Sequence, residues 1–553
     1  MTTKSTKGAW RWIFCEVLLI VLVFFLHSGG IPPDRNETHY LAKAKHYWNP
    51  AWCHNDLFLQ SADAHLVFNW TFGWITRYVS LPAAAWIGRI QIWCLFALAW
   101  QRLSNALVPR PLFSALSAAI FVVVLDRSHL AGEWVIGGVE AKGFAYTFVV
   151  AGLWALVSER WRLVWIFLGM AAAFHILVGG WAMIAALGAW GWCGRHKAPF
   201  LSLTRPLSLA ACCALCGLLP ALLLNDGTDE AVTRAANRIY VFGRLDHHLL
   251  FHQFNWTFIL RHTLGWLLLG FCYWSLKSDP AQQRLRRFAT GAFAVACCGA
   301  LIDQTIIAAA WLTGGFSQNM ADLQASLLRF YWFRLSDATL PLSLSLALGG
   351  LLLKYELRHP SRSQWGLVIL ILTTLAGLTE TYVRRHQDMR PAAELQIRPV
   401  PDGNTQNAHR RYHDWVRTCQ WIDSNTPQDA IFLTPRHQQT FKWFANRAEA
   451  VNWKDVPQNA PALLEWWQRI QTLYTPHVNR YGLAGHDFRT LTTACERYSI
   501  SYIVLDRSLS KQNLRLPRVY PRLAQEKAIF EVYQIPYQQT NTPLRPRHLP
   551  PAD

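Results

Sequence analysis

Charge is what this chain has least of. Asp, Glu, Lys and Arg make up only 16% of its 553 residues, against 52% hydrophobic ones, and that balance belongs to a membrane protein. Acids are scarcer than bases, 34 against 53, which leaves a formal net charge of +19. A surplus of this size could suit nucleic acid, but the Lys and Arg residues fall in short clusters between apolar runs and form no continuous basic stripe. The positive-inside rule explains that pattern, and nucleic acid is not an expected partner. There is no Cys-x-x-Cys pair, no Gly-rich phosphate loop and no Gly-x-Ser-x-Gly elbow, so zinc-ribbon, nucleotide-loop and hydrolase chemistry have no motif to stand on. The first apolar run is followed by Gly29-Gly30-Ile31-Pro32-Pro33-Asp34 with no small-x-small site, so it is expected to stay as an anchor. Most of the 12 Cys, among them Cys212, Cys213, Cys216, Cys297 and Cys298, lie inside apolar runs as small hydrophobes. Cys53, Cys419 and Cys495 are expected on the oxidising side, an odd number with no pairing indicated.

What the chain has in abundance is apolar runs of spanning length. They fall near Trp12 to His27, Pro82 to Trp100, Leu112 to Leu125, Lys142 to Leu156, Leu163 to Val178, Trp181 to Trp192, Leu207 to Leu224, Thr257 to Leu276, Phe288 to Trp311, Leu340 to Leu353 and Trp365 to Thr379. That predicts about eleven transmembrane helices, with the pair split at Gly179-Gly180 open to reading as a re-entrant hairpin. Alternate loops carry Lys4/Lys7/Arg11, Arg102/Arg110, Arg160/Arg162, Arg195/Lys197/Arg205, Arg284/Arg286/Arg287 and Lys354/Arg358/Arg362 and are poor in acids, which makes them cytoplasmic. The loops Gly30 to Leu81, Arg127 to Ala141, Asp226 to Trp256 and Phe316 to Asp337 then face outward, with everything after the last span. The expected organisation is a transmembrane domain over 1–383 with its first external loop at 30–81, an extracytoplasmic domain over 384–539, and an unfolded Pro- and Arg-rich tail at 540–553. The setting is a cytoplasmic (inner) membrane with the N-terminus inside.

The C-terminal part alternates between helical and strand patterns. Tyr412 to Asp423, His437 to Ala445, Ala460 to Tyr474 and Phe488 to Tyr498 read as helices; Ala430 to Leu433, Ala448 to Trp453, Ser501 to Asp506 and Ala528 to Gln534 read as strands. That order predicts a small three-layer α/β sheet.

Chemistry-bearing residues gather on the outward loops. Asp34 and Glu37 stand where the first span ends, three residues apart, so that one helical turn would project both from one face. Paired carboxylates of this kind take protons or hold cations. The same loop holds His39, Lys43, His46, His54, Asp56, Asp63 and His65 among Tyr40, Tyr47, Trp48, Trp52 and Trp70. A helix over Glu37 to Trp48 would set His39, Lys43 and His46 on one side and Tyr40, Ala44 and Tyr47 on another, an amphipathic arrangement suited to the membrane interface. Glu133, Glu140 and Lys142 flank the mouth of the fourth span, as a functional group or as an ion pair at a helix start. Arg238, Arg244, His247, His248 and His252 form one basic patch, and Arg329 and Arg334 another. Positive charge on outward loops runs against topogenic bias, and an anionic lipid phosphate would account for it. His175 reads as a polar residue at membrane depth, either facing a cavity or hydrogen-bonded within the bundle.

The acid-bearing segment Pro33-Asp34-Arg35-Asn36-Glu37-Thr38-His39-Tyr40, the many-span bundle and the segment beginning Trp421-Ile422-Asp423-Ser424-Asn425-Thr426-Pro427 together resemble the GT-C superfamily of integral-membrane glycosyltransferases. Loops such as Asn36-Glu37-Thr38-His39-Tyr40-Leu41 and Glu140-Ala141-Lys142-Gly143-Phe144-Ala145 are similar to those of uncharacterised bacterial members of that group. The resemblance implies a GT-C-like helical bundle with a C-terminal extracytoplasmic α/β domain, and transfer of a sugar from a polyprenyl-phosphate or diphosphate donor, with inversion, to a glycan, lipid or protein acceptor. Of the two acids, Glu37 aligns with the stronger family position. Where oligosaccharyltransferases continue into Trp-Trp-Asp-Tyr-Gly, this chain has Thr434-Pro435-Arg436-His437-Gln438-Gln439-Thr440-Phe441, so protein N-glycosylation is not implied.

On this reading Glu37 or Asp34 is the general base. His39, Tyr40, Asp56, His65, Glu140, Lys142, Arg244, His247, Arg329 and Arg334 are the candidate substrate-binding residues, the cations among them neutralising the leaving phosphate. A divalent metal, Mg or Mn, is compatible with the acids, but Asp34, Glu37, Asp56 and Asp63 have no diagnostic spacing and no metal set is assigned. Two rival readings use the same fold: a transporter or flippase for lipid-linked glycans, for which Asp303 and Glu380 are the mid-span or near-end acids, and a non-catalytic membrane binding or assembly protein.

Overall fold

The computed structural model describes residues 6–395, 397, 405–510, 512–522 and 528–536. A helix lies on each of the eleven apolar runs: Thr6–Ser28, Leu81–Leu107, Phe113–Ser128, Ala141–Val157, Trp161–Phe174, Ile176–Cys193, Thr204–Leu223, Trp256–Ser275, Pro280–Leu312, Arg334–Arg358 and Pro360–His386. Seven stretches within them are long and apolar enough to cross a membrane, and Ala141–Val157 and Trp161–Phe174 are shorter apolar helices. The chain is therefore a multi-pass membrane protein, since in lipid only a helix satisfies every backbone group of so apolar a run. Local chemistry sets several starts: the Ser80 side chain accepts from the Ala83 amide with Pro82 in the first turn, and Asp279 accepts from Ala281 and Gln282 with Pro280 following.

The expected break at Gly179-Gly180 falls four residues earlier, at His175, between Trp161–Phe174 and Ile176–Cys193. These two helices form a tight hairpin. A Cβ at Gly179 would lie 2.1 Å from the Ala172 amide nitrogen, and one at Gly194 would lie 2.5 Å from the Trp161 ring. Helix Thr204–Leu223 closes on the same hairpin, with Gly217 against the Ala172 carbonyl and Gly169 against Ala210, the small-residue packing typical of membrane helices. His175 is thus the tip of a turn and not a mid-span residue.

The helix Glu37–Trp48 forms, but it does not lie free at an interface. Glu37, Thr38, Leu41, Ala42, Lys43 and Ala44 are buried. Leu41 and Ala44 pack into the core of the helical bundle, while Ala42 packs with Cys53, Phe58 and the C-terminal residues Leu433, Trp466 and Ile470. The helix is a layer between the bundle and the C-terminal unit.

That unit is a five-stranded mixed sheet, β1 (Ile431–Leu433), β2 (Ala448–Glu449), β3 (Tyr502–Asp506), β4 (Arg518–Tyr520) and β5 (Phe530–Gln534), in the order β2-β1-β3-β5-β4. β1 runs parallel to β2 and β3, and β5 antiparallel to β3 and β4. Alternation splits the strands between two cores. Ile431, Leu433, Ile503 and Leu505 pack with helices Ala460–Leu473 and Phe488–Arg497, while Phe432, Val504, Phe530 and Val532 pack with Thr405–Asn425 and Phe441–Ala445. The helix expected from His437 covers only Phe441–Ala445, and the strand expected over Ala448 to Trp453 covers only Ala448–Glu449. Gln438 and Gln439 are bonded to Glu394 and to the Ala393 carbonyl, and Asn452 to the Gln438 carbonyl, so long-range bonds hold these segments out of regular structure. Helix Pro476–Tyr481 and strand β4 were not expected. Cys53, Cys419 and Cys495 are buried free thiols. The expected tail at 540–553 lies outside the described residues.

Candidate functional site

The loop between Ser128 and Ala141 carries two carboxylates into the space between the bundle and the C-terminal unit, and two buried acids hold its backbone. At its start Asp337 accepts the amides of Leu130, Ala131 and Glu133 at 2.6, 2.9 and 3.2 Å. At its end Glu37 accepts the Val139 amide at 2.9 Å. Glu37 also accepts from Arg89 Nε at 2.7 Å and Nη2 at 2.6 Å, and from the Asp34 amide at 2.7 Å. Both Glu37 oxygens are committed, and the side chain is wholly buried. Asp34 packs beside it against Gly138, where an added Cβ would meet Asp34 Cβ at 2.6 Å. Burial works against the charge of Asp34, but Arg89 and the Arg35 amide outweigh it and hold its carboxyl below the usual range.

Pinned this way, Glu133 and Glu140 line a cavity of about 910 Å³ roofed by the C-terminal unit. Asn36 Nδ2 donates to Glu140 Oε2 at 3.1 Å, while Glu140 Oε1 accepts no hydrogen bond among the described residues. Burial pushes the Glu140 carboxyl up to about 7, against the pull of Lys142. Lys142 Nζ stands between the acids, 3.3 Å from Glu133 and 3.6 Å from Glu140, and 4.1 Å above the Trp134 ring. Arg334 Nε reaches the other Glu133 oxygen at 3.0 Å, and its Nη1 reaches His175 Nε2, also at 3.0 Å.

Across the cavity the charge is of one sign. Arg244 donates to the Trp453 carbonyl at 3.1 Å and Arg329 to Asn237 at 2.6 Å; Lys454 lines the same space. None of the three lies within ion-pairing distance of a carboxylate among the described residues, and burial lowers the pKa of each, that of Lys454 to about 8 with Arg244 adding its repulsion. The remaining wall is apolar, with Phe174, Ile176 and Leu177 at the hairpin tip and Leu218, Ala221 and Leu222 on helix Thr204–Leu223, a helix that is mostly unburied within the protein. The cavity can hold an anionic head and an apolar tail at once.

Nine of the ten candidate substrate-binding residues line it: His39, Tyr40, His65, Glu140, Lys142, Arg244, His247, Arg329 and Arg334. Asp56 does not. It caps helix Leu57–Gln60 through the Leu59 amide and pairs with Lys442 at 3.2 Å, joining the first loop to the C-terminal unit. Lys442 also pairs with Glu449 and Asp455, each at 2.6 Å, and Asp455 lies 3.4 Å from His39. Asp34 and Glu37, the expected base pair, do not line the cavity either; both Glu37 oxygens are engaged, whereas Glu133 Oε1 and Glu140 Oε1, the two oxygens that face Lys142, accept no hydrogen bond among the described residues. Glu133, Trp453 and Lys454 join the site beyond the expected set. Glu133 had a signal in its spacing from Glu140 and Lys142; Lys454 had none, because the other cations of the cavity, Arg244 and Arg329, stand on segments distant from it in sequence. Asp303 accepts from His252 and Gln324, and Glu380 pairs with Arg127 at 2.5 Å, so the two acids a transporter reading relied on have local partners. No group of three or more His, Cys, Asp or Glu among the described residues is placed to hold a metal ion.

A family model described as a domain of unknown function, DUF6798, matches residues 413–473. No curated protein matches the chain. Among solved structures, the chain is similar to the archaeal oligosaccharyltransferase AglB of Archaeoglobus fulgidus in complex with an inhibitory peptide and a dolichol-phosphate, at 10% identity over 90% of this chain and 70% of that one, with a TM-score of 0.45. It is also similar to the oligosaccharyltransferase of the same organism tethered to an acceptor peptide containing the NVT sequon (11% identity, 90% and 69% covered, TM-score 0.45) and to its complex with Zn and sulfate (12% identity, 89% and 67%, TM-score 0.39).

Proposed function

We propose that this protein is a membrane glycosyltransferase that moves a sugar from a polyprenyl-phosphate or diphosphate donor to an acceptor hydroxyl on the extracytoplasmic face, with inversion. The observation that carries the reading is the set Arg244, Arg329 and Lys454, three half-buried cations without a carboxylate partner among the described residues, facing a cavity whose other wall is apolar. Withdrawn cations without counter-charge are costly, and a lipid phosphate relieves that cost while its isoprenoid lies along helix Thr204–Leu223. In the transfer the acceptor oxygen forms a bond to the anomeric carbon as the bond from that carbon to the phosphate oxygen breaks. The electron pair leaves on the phosphate, where fixed cations stabilise it, and the acceptor's proton passes to Glu140 Oε1. A carboxyl near 7 is matched to that task at neutral pH. Glu37, expected as the base, acts here as a positioning residue through the Val139 amide.

The test is binding of farnesyl phosphate to the full-length protein in detergent. Arg244→Gln, Arg329→Gln and Lys454→Gln should each weaken binding about tenfold, the loss of one charged hydrogen bond. Unchanged affinity in all three variants would overturn the donor site.

A further inference from the structure

The resemblance to lipid-linked glycosyltransferases raises a divalent metal as a cofactor, and the residues present do not fit one. The two cavity carboxylates already have a cation between them: Lys142 Nζ, 3.3 Å from Glu133 and 3.6 Å from Glu140. Its ammonium is fixed from a third side by the face of Trp134 at 4.1 Å, and the side chain is 8% exposed. Arg334 Nε takes the far oxygen of Glu133 at 3.0 Å, so two acids face two bases and the group offers no net negative charge. A dication entering it would also meet the unpaired charges of Arg244, Arg329 and Lys454 on the same cavity. At the several-ångström separations of one cavity, like charges in partly dry surroundings repel by several kcal/mol. No third His, Cys, Asp or Glu joins Glu133 and Glu140 there among the described residues, whereas Mg or Mn needs about six ligands.

We infer that Lys142 is a tethered cation that stands between Glu133 and Glu140 where a divalent ion bridging these two acids would have to sit, so that the site works without such an ion. Lys142 balances the charge of Glu133 and stands 3.6 Å from Glu140 Oε1, close enough to pair with its charge but beyond hydrogen-bond distance of the oxygen that takes the proton. This rests on the glycosyltransferase reading for its chemical purpose, but its test does not use transfer.

The full-length protein, stripped with chelator and kept in detergent, is titrated with Mn2+ and followed by electron paramagnetic resonance. Wild type should show no saturable site that Glu133→Gln or Glu140→Gln removes, up to about 1 mM, the weak end of biological divalent binding. Lys142→Met removes the tethered charge and should gain one Mn2+ site per chain, lost again in Lys142→Met/Glu140→Gln. A wild-type site abolished by Glu133→Gln or Glu140→Gln would overturn the inference, as would a folded Lys142→Met protein that gains none. Loss of the glycosyltransferase reading alone would leave the Mn2+ result unchanged.

Discussion

Arg89 holds Glu37 with both prongs of its guanidinium, Nε on Oε1 at 2.7 Å and Nη2 on Oε2 at 2.6 Å, and the two side chains are 1% and 0% exposed. The pair joins the second apolar helix to the start of the first-loop helix, and the same carboxylate holds the Val139 amide of the loop that carries Glu140. A carboxylate so engaged orders its surroundings and has no lone pair left for a substrate.

Glu37→Gln should therefore act first on stability. It leaves Arg89 buried without its counter-charge, which typically costs about 3 to 5 kcal/mol. Thermal unfolding in detergent reads this directly, and Glu37→Gln/Arg89→Met should recover much of the loss. Normal melting of the Glu37→Gln protein together with abolished sugar transfer would return Glu37 to the chemistry.

Glu140→Gln keeps the size of the side chain and the contact with Asn36 but cannot accept a proton. Transfer should fall about a hundredfold or more, while farnesyl phosphate still binds. Wild-type turnover in this variant would remove Glu140 as the base.

Burial holds the Glu140 carboxyl near 7, so the transfer rate should climb about tenfold per pH unit below that value and level off above it. The sign for stability is opposite. A carboxyl raised above its unfolded value near 4.5 stabilises the fold below pH 4.5, and that stability is lost as pH rises through about 7, on the order of 3 kcal/mol in all. Melting temperatures of wild type and Glu140→Gln measured from pH 5 to 8 should accordingly diverge in favour of the variant at the alkaline end. Parallel curves would show that Glu140 titrates normally.

Lys442 answers three buried carboxylates, Asp56, Glu449 and Asp455. Burial opposes its charge, but the acids outweigh burial and raise its pKa. Lys442→Met should leave those acids uncompensated, at a cost of about 3 to 5 kcal/mol, and loosen the first loop from the C-terminal unit. Limited proteolysis should then cut near Gln60 earlier than in wild type; an unchanged cleavage pattern would place the docking energy elsewhere.

The first loop and the C-terminal unit share one side of the membrane, because Trp52 donates to Asn446 and Asn55 to the Asp429 carbonyl. The basic loops predict that this side is extracytoplasmic. In intact cells an impermeant thiol reagent should label Gln60→Cys and Thr493→Cys, and should reach Lys197→Cys only after permeabilisation. The reverse pattern would invert the topology.

Helices on the eleven apolar runs were legible in the sequence because a long apolar run in lipid has one way to satisfy its backbone, with seven stretches among the described residues long and apolar enough to cross a membrane, and the expected parity of the basic loops followed from the same runs. The C-terminal α/β pattern was legible where burial is two-sided, as at Tyr502–Asp506, and failed at Ala448 to Trp453, where bonds donated by Asn452 and Trp453 to the Gln438 and Arg436 carbonyls replace a strand ladder. The cations of the site, Arg244, Arg329 and Arg334, were legible because they stand on segments that the basic-cluster pattern predicts to face outward, where positive charge is disfavoured. Which acid is free was not legible. Glu37 and Glu140 are the same residue type beside the same class of helix, and they differ in what takes their oxygens. Arg89, 52 residues from Glu37, closes one carboxylate, while the other has Asn36 on Oε2 and only the ion pair with Lys142, with no hydrogen bond, on Oε1. Only tertiary structure assigns those partners, because a buried carboxylate's capacity for chemistry is set by the donors that the fold brings to it and not by its place in the chain.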